Sequence, residues 1–216
     1  MDLTFLKTPQ FYNDNATKLA EQYLSKTFEE VHQSWSPFLP SIIENPNARI
    51  LDLGAGSGRD VKYLAELAAN THPTENNVQI FAVEPAQELA VIGQKTTEDL
   101  NVKWLDDSLP ALTKVTKQEV SFDLILLSAV WMHMNAEDQI EALNTLSKLV
   151  STNGLIVITL RIGEFSDGRI AHVIDESKLM QQANKLNFDV ILNESSVDAL
   201  DRSDVTWKTL VFKWKS

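Results

Sequence analysis

The stretch RILDLGAGSGRD, residues 49–60, sets Asp52 ahead of Gly54, Gly56 and Gly58 in a chain that has seven glycines altogether. An apolar run precedes these glycines, and Val61, Leu64, Ala65 and Ala68 follow at helical spacing. A strand that ends in a glycine turn and enters a helix aims backbone N–H groups at a ligand, and glycine permits both the turn and the close approach. The spacing narrows the ligand. Gly58 is followed by Arg59 and Asp60, not by the Lys-Ser/Thr that a triphosphate loop needs, and the third glycine of a dinucleotide loop would fall on Arg59. What is left is G-x-G-x-G with an acid in front. Two further groups lie where chemistry could follow. His133, just past the fourth apolar run, is the nearest side chain able to take a proton near neutral pH. Arg161, ending the fifth run, could grip a carboxylate on a ligand or pair with Glu164 or another nearby acid.

The elements that would position these groups can be read from the hydrophobic pattern. From Ala48 onward, β-rich runs at 48–54, 78–85, 102–106, 122–129 and 155–161 alternate with segments of helical spacing, which predicts a mostly parallel sheet covered by helices on both faces. The runs at 188–196 and 205–215 have only a short polar link between them, too short for a crossover, so they should pair as an antiparallel hairpin at the sheet edge. The expected architecture is α/β and Rossmann-like, with seven strands and the last one reversed. Ser57 with Asp60, and Asn135 with Asp138, look like helix N-caps. Residues 1–47 read as an N-terminal helical arm ahead of a domain at 48–216. In the arm, Thr27 with Glu30 marks a capping box, predicting two helices broken near Ser25–Thr27, and the proline-bearing segment after Trp35 should cross over to the first strand.

The motif D-x-G-x-G-x-G at the first strand resembles the class I S-adenosylmethionine-dependent methyltransferases, and later landmarks follow in that family's order from Ala48 to the end. The resemblance implies that Asp52, Gly54, Ala55, Gly56 and Gly58 form the cofactor loop. It implies that Glu84, followed by Pro85, accepts from both ribose hydroxyls, a role that suits the paired acceptors of a carboxylate. The interval to Glu84 exceeds the usual one of about 20 residues, and the polar insertion NTHPTENN accounts for the excess. WLDDSLP, with Asp106, Asp107 and Ser108, resembles the adenine-edge segment, Asp107 being the favoured acceptor for the exocyclic amine. Ser128 and Ala129, in LLSAVWMHM, should line the methionine end. An arm before the first strand commonly folds over the opening as a lid in this family, and YNDNA and FEEVH resemble the arms of bacterial small-molecule enzymes. Tyr12 then joins His133 as a catalytic candidate, while Asn15, His32, Trp131 and Arg161 are candidates for holding the acceptor. Tyr23, Phe28 and Trp35 read as packing of the arm on the core.

Composition bounds the partners. With 44% apolar residues the chain can bury a sizeable core, and the absence of cysteine rules out disulfides and thiolate zinc sites and favours a cytoplasmic home. No secretory leader or membrane-length apolar run is visible, and no His/Asp/Glu spacing suggests a metal. A net charge of −11 without a basic cluster disfavours nucleic acid as a substrate. The tetrad typical of enzymes that methylate amino groups of DNA bases is missing, since SAVW stands in its place. The expectation is a monomeric or homodimeric enzyme that moves a methyl group from S-adenosylmethionine to an oxygen or nitrogen of a small molecule, releasing S-adenosylhomocysteine. The alternatives are a tRNA or protein methyltransferase working with partner subunits, or a binding module that keeps the cofactor without turnover.

Overall fold

The structure is a computed structural model that describes residues 4–198 and 205–215. Strands β1 (Arg49–Leu53), β2 (Gln79–Val83), β3 (Val102–Leu105), β4 (Phe122–Ser128), β5 (Val150–Ile162), β6 (Phe188–Val197) and β7 (Thr206–Trp214) form one sheet in the order β3-β2-β1-β4-β5-β7-β6. The pairings from β3 to β5 are parallel, whereas β7 runs antiparallel to both β5 and β6. The expected hairpin forms, with the reversed β7 inside it and β6 on the edge. The fifth strand begins five residues earlier than its apolar run. Val150 pairs with Phe122, the chain then loops out through Ser151–Gly154, and pairing resumes at Leu155 with Leu124.

Neighbouring residues of the central strands face opposite sides, and both sides are buried. Leu51, Leu53, Ile125 and Leu127 pack on one side with Leu143 and Leu146 of α8 (Ala136–Leu149) and Leu179 of α9 (Glu176–Lys185). Ile50, Ile80, Leu124 and Leu126 pack on the other with Val61 and Leu64 of α5 (Arg59–Thr71), and with Trp35, Ile42 and Ile43 from the arm. The arm therefore shares the sheet's core. It holds α1 (Thr4–Asp14), α2 (Ala16–Leu24), α3 (Phe28–His32) and α4 (Pro40–Ile43), so it contains more helices than the two expected. The capping box is as read: Thr27 Oγ1 accepts from the Glu30 N–H at 3.2 Å, and Glu30 Oε2 accepts from the Thr27 N–H at 2.7 Å. The proline segment, expected to cross over to the first strand, does so through a 3₁₀ turn at Ser36–Phe38 and α4. Pro37 and Pro40 occupy starting positions of these turns, where the missing N–H has no partner to lose.

Two junctions place the site. The chain leaves β1 one way toward β2 and leaves β4 the other way toward β5, so the turns after β1 and β4 lie at a topological switch point, where open α/β sheets take their ligands. The second junction ties the arm to α5. His32 is fully buried, and its Nε2 lies 3.0 Å from Asp60 Oδ2. Arg59 approaches the same carboxylate, Nε to Oδ1 at 2.6 Å and Nη2 to Oδ2 at 2.9 Å. Burial alone would raise the Asp60 pKa, but His32 and Arg59 overcome this and hold it well below the usual carboxylate range. Asp60 is therefore no helix cap for Ser57 to complete. The cap position of α5 belongs to Gly58, at φ +83°.

α6 (Gln87–Thr96) lies directly on the glycine loop. A Cβ on Gly93, inside this helix, would stand 2.7 Å from the Gly56 carbonyl oxygen and collide with Trp104. Helix propensity favours alanine over glycine by about 1 kcal/mol, yet Gly93→Ala is expected to destabilise the protein by about 1–3 kcal/mol through overpacking, as read by urea unfolding. His32→Ala removes one of the two partners of a buried carboxylate that Arg59 still holds, and should cost about 1–3 kcal/mol near neutral pH. Because the native Asp60 pKa is depressed, its contribution is complete above the ordinary carboxylate range and is lost as pH falls toward the native value, so the gap between wild type and variant should narrow in acid.

Candidate active site

Gly54, Gly56 and Gly58 all have positive φ, at +74°, +55° and +83°. A Cβ on Gly54 would collide with Val130 Cγ2, and one on Gly58 would meet the Gly93 carbonyl oxygen at 3.0 Å. The loop is bare because backbone, side chain and helix already crowd it. Glu84, at the end of β2, is buried against it. Oε2 accepts from the Gly56 N–H at 2.9 Å and Oε1 from the Ala86 N–H at 2.8 Å. Burial pushes its pKa up to about 7, against the pull of those two amides. Asp52 is also buried, and neither of its carboxylate oxygens has a hydrogen-bond partner. Burial, with Asp60 and Glu84 nearby, pushes its pKa well above the ordinary carboxylate range against the pull of Arg59.

One cavity of about 520 Å³ opens from this loop. Leu53, Gly54, Ala55, Gly56, Glu84 and Pro85 line one part of it, Ser108 and Leu109 flank it, and Ser128 and Ala129 form its wall after β4. Ala129 holds a left-handed backbone at φ +59°, and its N–H donates to the Thr159 carbonyl and to Thr159 Oγ1. A non-glycine residue there is strained, as residues beside ligands often are.

At the other end the arm meets the turn after β4. The Tyr12 hydroxyl lies 3.0 Å from His133 Nε2, and His133 Nδ1 lies 2.9 Å from the Ile170 carbonyl oxygen. A carbonyl only accepts, so Nδ1 carries the proton and donates, and Nε2 of the neutral ring accepts from Tyr12. Burial holds the His133 pKa below the usual imidazole value, which keeps the ring neutral. Burial raises the Tyr12 pKa, with Arg169 pulling it back. Phe165 stacks on His133 at 5.8 Å between ring centroids. The guanidiniums of Arg161 and Arg169 lie 4.1 and 4.2 Å from the Phe165 ring.

The two catalytic candidates, 121 residues apart in sequence, are thus brought into contact. Several other candidates are not in the site. His32 is consumed by Asp60 and packed on Phe28 and Trp35. Asn15 turns its side-chain amide back to the Phe11 carbonyl, at 2.9 Å, in the joint between α1 and α2. Trp131 is fully buried in the core with Leu143 and Leu160, outside the cavity wall. Asp107, expected at adenine, spends its carboxylate on the start of α7 (Thr113–Thr116): Oδ2 accepts from the Lys114 and Val115 N–H groups at 2.6 and 2.9 Å, and Oδ1 from Ser108 N–H. Asp106 is exposed and paired with Lys114 at 3.0 Å, so neither acid lines the cavity. Arg161 lines it, and its amines donate to the carbonyls of Gly163 and Glu164 at 2.6 and 3.1 Å. Tyr23, read as packing, lines the cavity too, and Arg169 and Phe165 were missed. Both lie in an irregular loop whose glycines and polar residues say only that it turns. Among the described residues, no group of His, Asp and Glu could hold a metal ion, and no helix is long and apolar enough to cross a membrane.

Comparison with known proteins agrees with this geometry. Residues 51–156 match the model of a methyltransferase domain. Magnesium protoporphyrin IX methyltransferase from Synechocystis PCC 6803, solved with bound S-adenosylmethionine, superposes with a TM-score of 0.66 over 100% of this chain and 98% of its own, at 10% identity. The 1,6-didemethyltoxoflavin-N1-methyltransferase of Burkholderia thailandensis, solved with 1,6-didemethyltoxoflavin and S-adenosylhomocysteine, gives 0.56 over 94% and 90%, at 16% identity. A sequence relative, an uncharacterized protein of Rickettsia prowazekii, is 29% identical over 52% of this chain, and the match spans 42% of that relative's length. By its match at residues 51–156 the chain carries a methyltransferase domain, and its fold is that of the class I S-adenosylmethionine-dependent methyltransferases.

Proposed function

We propose that this protein transfers a methyl group from S-adenosylmethionine to an oxygen or nitrogen of a small molecule by in-line displacement. The observation that carries the reading is the continuous cavity that runs from the glycine loop and Glu84 to the Tyr12–His133 pair. Its volume falls within the range of small-molecule sites. Support for the acceptor class comes from the Burkholderia neighbour, which holds a small molecule beside S-adenosylhomocysteine.

The residues present fit the cofactor. Gly54 and Gly56 leave the backbone bare, Glu84 presents two adjacent acceptor oxygens for a ribose diol, and the Asp52 carboxyl is buried without a partner beneath the loop. Glu84 would receive the ribose hydroxyls, Ser108 and Leu109 would flank the base, and Ser128 and Ala129 would border the methionine portion. With Asp107 committed to α7, backbone around Ser108 takes over the adenine edge. When bound, the cofactor supplies an electrophilic sulfonium methyl and leaves as a neutral thioether.

The protein's own part is to hold the acceptor and to remove one proton. Alignment at about 3–3.5 Å is the larger contribution in such a displacement. As the acceptor's lone pair forms its bond to the methyl carbon, the acceptor O–H or N–H must lose its proton. His133 Nε2 can take it, directly or through the Tyr12 hydroxyl, because Ile170 fixes the ring with that lone pair toward the cavity.

Incubation with methyl-labelled cofactor and a metabolite extract should place label in small molecules, and none in a tRNA pool or a protein lysate. With the acceptor in hand, His133→Gln should lower kcat about 10²- to 10⁴-fold with the KM for S-adenosylmethionine unchanged. Ribose hydroxyls donate to a carboxylate and not to a protonated acid, so binding selects ionised Glu84. S-adenosylhomocysteine should bind about tenfold more weakly at pH 6 than at pH 8, and Glu84→Gln should bind weakly at both, as read by titration calorimetry.

A further inference from the structure

Arg169 is the charged group that the proposed reaction leaves unused. It lies in the loop between β5 and α9, and it lines the cavity with Tyr12, His133 and Phe165. Its guanidinium lies 4.2 Å from the Phe165 ring centroid and 5.7 and 6.0 Å from those of Phe11 and Tyr12. This aromatic setting strips water from the cation without neutralising it. Asp167 holds Nε and Nη2, with contacts of 3.1 and 2.6 Å, and so fixes the plane of the guanidinium. That carboxylate, however, is two residues away in a surface turn and 40% exposed, outside the cavity wall. Asp167 engages the Nε and Nη2 edge of the guanidinium, and on the cavity side the Tyr12 hydroxyl also interacts with the cation. Arg161 shares the same Phe165 ring and lines the same wall. A protein carrying a net charge of −11 thus places Arg169 at the end of the cavity where the acceptor would lie.

We infer that the methyl acceptor carries an oxyanion, a carboxylate or a phosphate, received by Arg169 with Arg161 beside it. This rests on the small-molecule methyltransferase reading and narrows its substrate to acids. An amine cation would meet the Arg169 charge with the sulfonium already present, so acceptors that stay positively charged are disfavoured. Arg161 is held by the carbonyls of its own loop, which makes Arg169, with its fork fixed from outside, the primary anion contact.

The test pairs acids with their amides, 4-hydroxybenzoate and 3-phenylpropionate each against its carboxamide, with phenyl phosphate against phenol to separate phosphate from carboxylate. Binding is read by calorimetry on the protein alone and on the protein saturated with S-adenosylhomocysteine. At least one anion should bind about tenfold more tightly than its neutral partner. Arg169→Gln should abolish that preference with affinity for S-adenosylhomocysteine intact, and Arg169→Lys should restore only part of it. Asp167→Asn removes a competing acceptor and should strengthen anion binding about two- to fivefold, an effect that a purely structural Arg169–Asp167 pair would not give. Equal binding of acids and amides, or a preference that survives in Arg169→Gln, overturns the inference. Should Arg169→Gln fail to fold, an Asp167→Asn variant with unchanged or weaker anion binding overturns it equally. Failure of S-adenosylhomocysteine to bind, with acids still discriminated, would remove the cofactor reading and leave the anion site standing.

Discussion

Close backbone approach at the end of β1 is the constraint on which the rest of this molecule depends. Gly54 yields to Val130, Gly58 to the backbone of Gly93, and Gly93 in turn to Gly56 and Trp104. Three turns of chain, from β1, β2 and β4, are therefore set against one another with no side chain to act as a spacer. Glu84 completes the arrangement, because its two oxygens span the N–H groups of Gly56 and Ala86 and so join the β1 turn to the start of α6. A hydrogen-bonded carboxylate of this kind is both a structural tie and a ready acceptor. A ligand that offers two hydroxyls replaces two amides, and it meets a loop already in its final shape.

The acids under that loop are handled in different ways, and the differences are chemically informative. Asp60 stays ionised because His32 and Arg59 stand against it. Asp52 has no hydrogen-bond partner, and burial raises its pKa. Glu84, satisfied by amides but buried, sits at the edge of ionisation near neutral pH. Like charges gathered in a low-dielectric region suppress one another's ionisation, and a cation brought among them relieves that cost.

The seven-strand pattern with its closing antiparallel hairpin and the glycine loop were legible in the sequence because both act through the backbone, and backbone demands leave a mark in residue type. Few ligands other than a nucleoside would require three glycines at alternate positions and then an acid at the end of the next strand. Side-chain roles were harder to read, since residue type names a donor but not its partner. Asp107 looks like an adenine acceptor in the sequence, yet the open N–H groups of α7 lie a few residues on and claim it first. His32 has the right chemistry for a pocket, but α3 turns it inward onto Asp60. Asn15 and Trp131 fall to the same cause, one bound to its own helix joint and the other to the core. Gly93 carried a signal that could have been used, a glycine at mid-helix between apolar neighbours, which costs helix stability unless something approaches closely.

The acceptor end differs in kind from the cofactor end. Tyr12 comes from α1, His133 from the turn after β4, and Phe165, Arg169 and Ile170 from the loop before α9, and these segments touch only in the folded protein. His133 gains its tautomer from a loop carbonyl and its hydroxyl partner from the arm, so the state of the base depends on both segments being closed at once. Contacts of this kind open at less cost than strand pairing, since they bury fewer apolar groups. Sequence change in α1 and in the loop can therefore alter which molecule is methylated, while the turns after β1 and β2, locked backbone to backbone, keep the cofactor end the same.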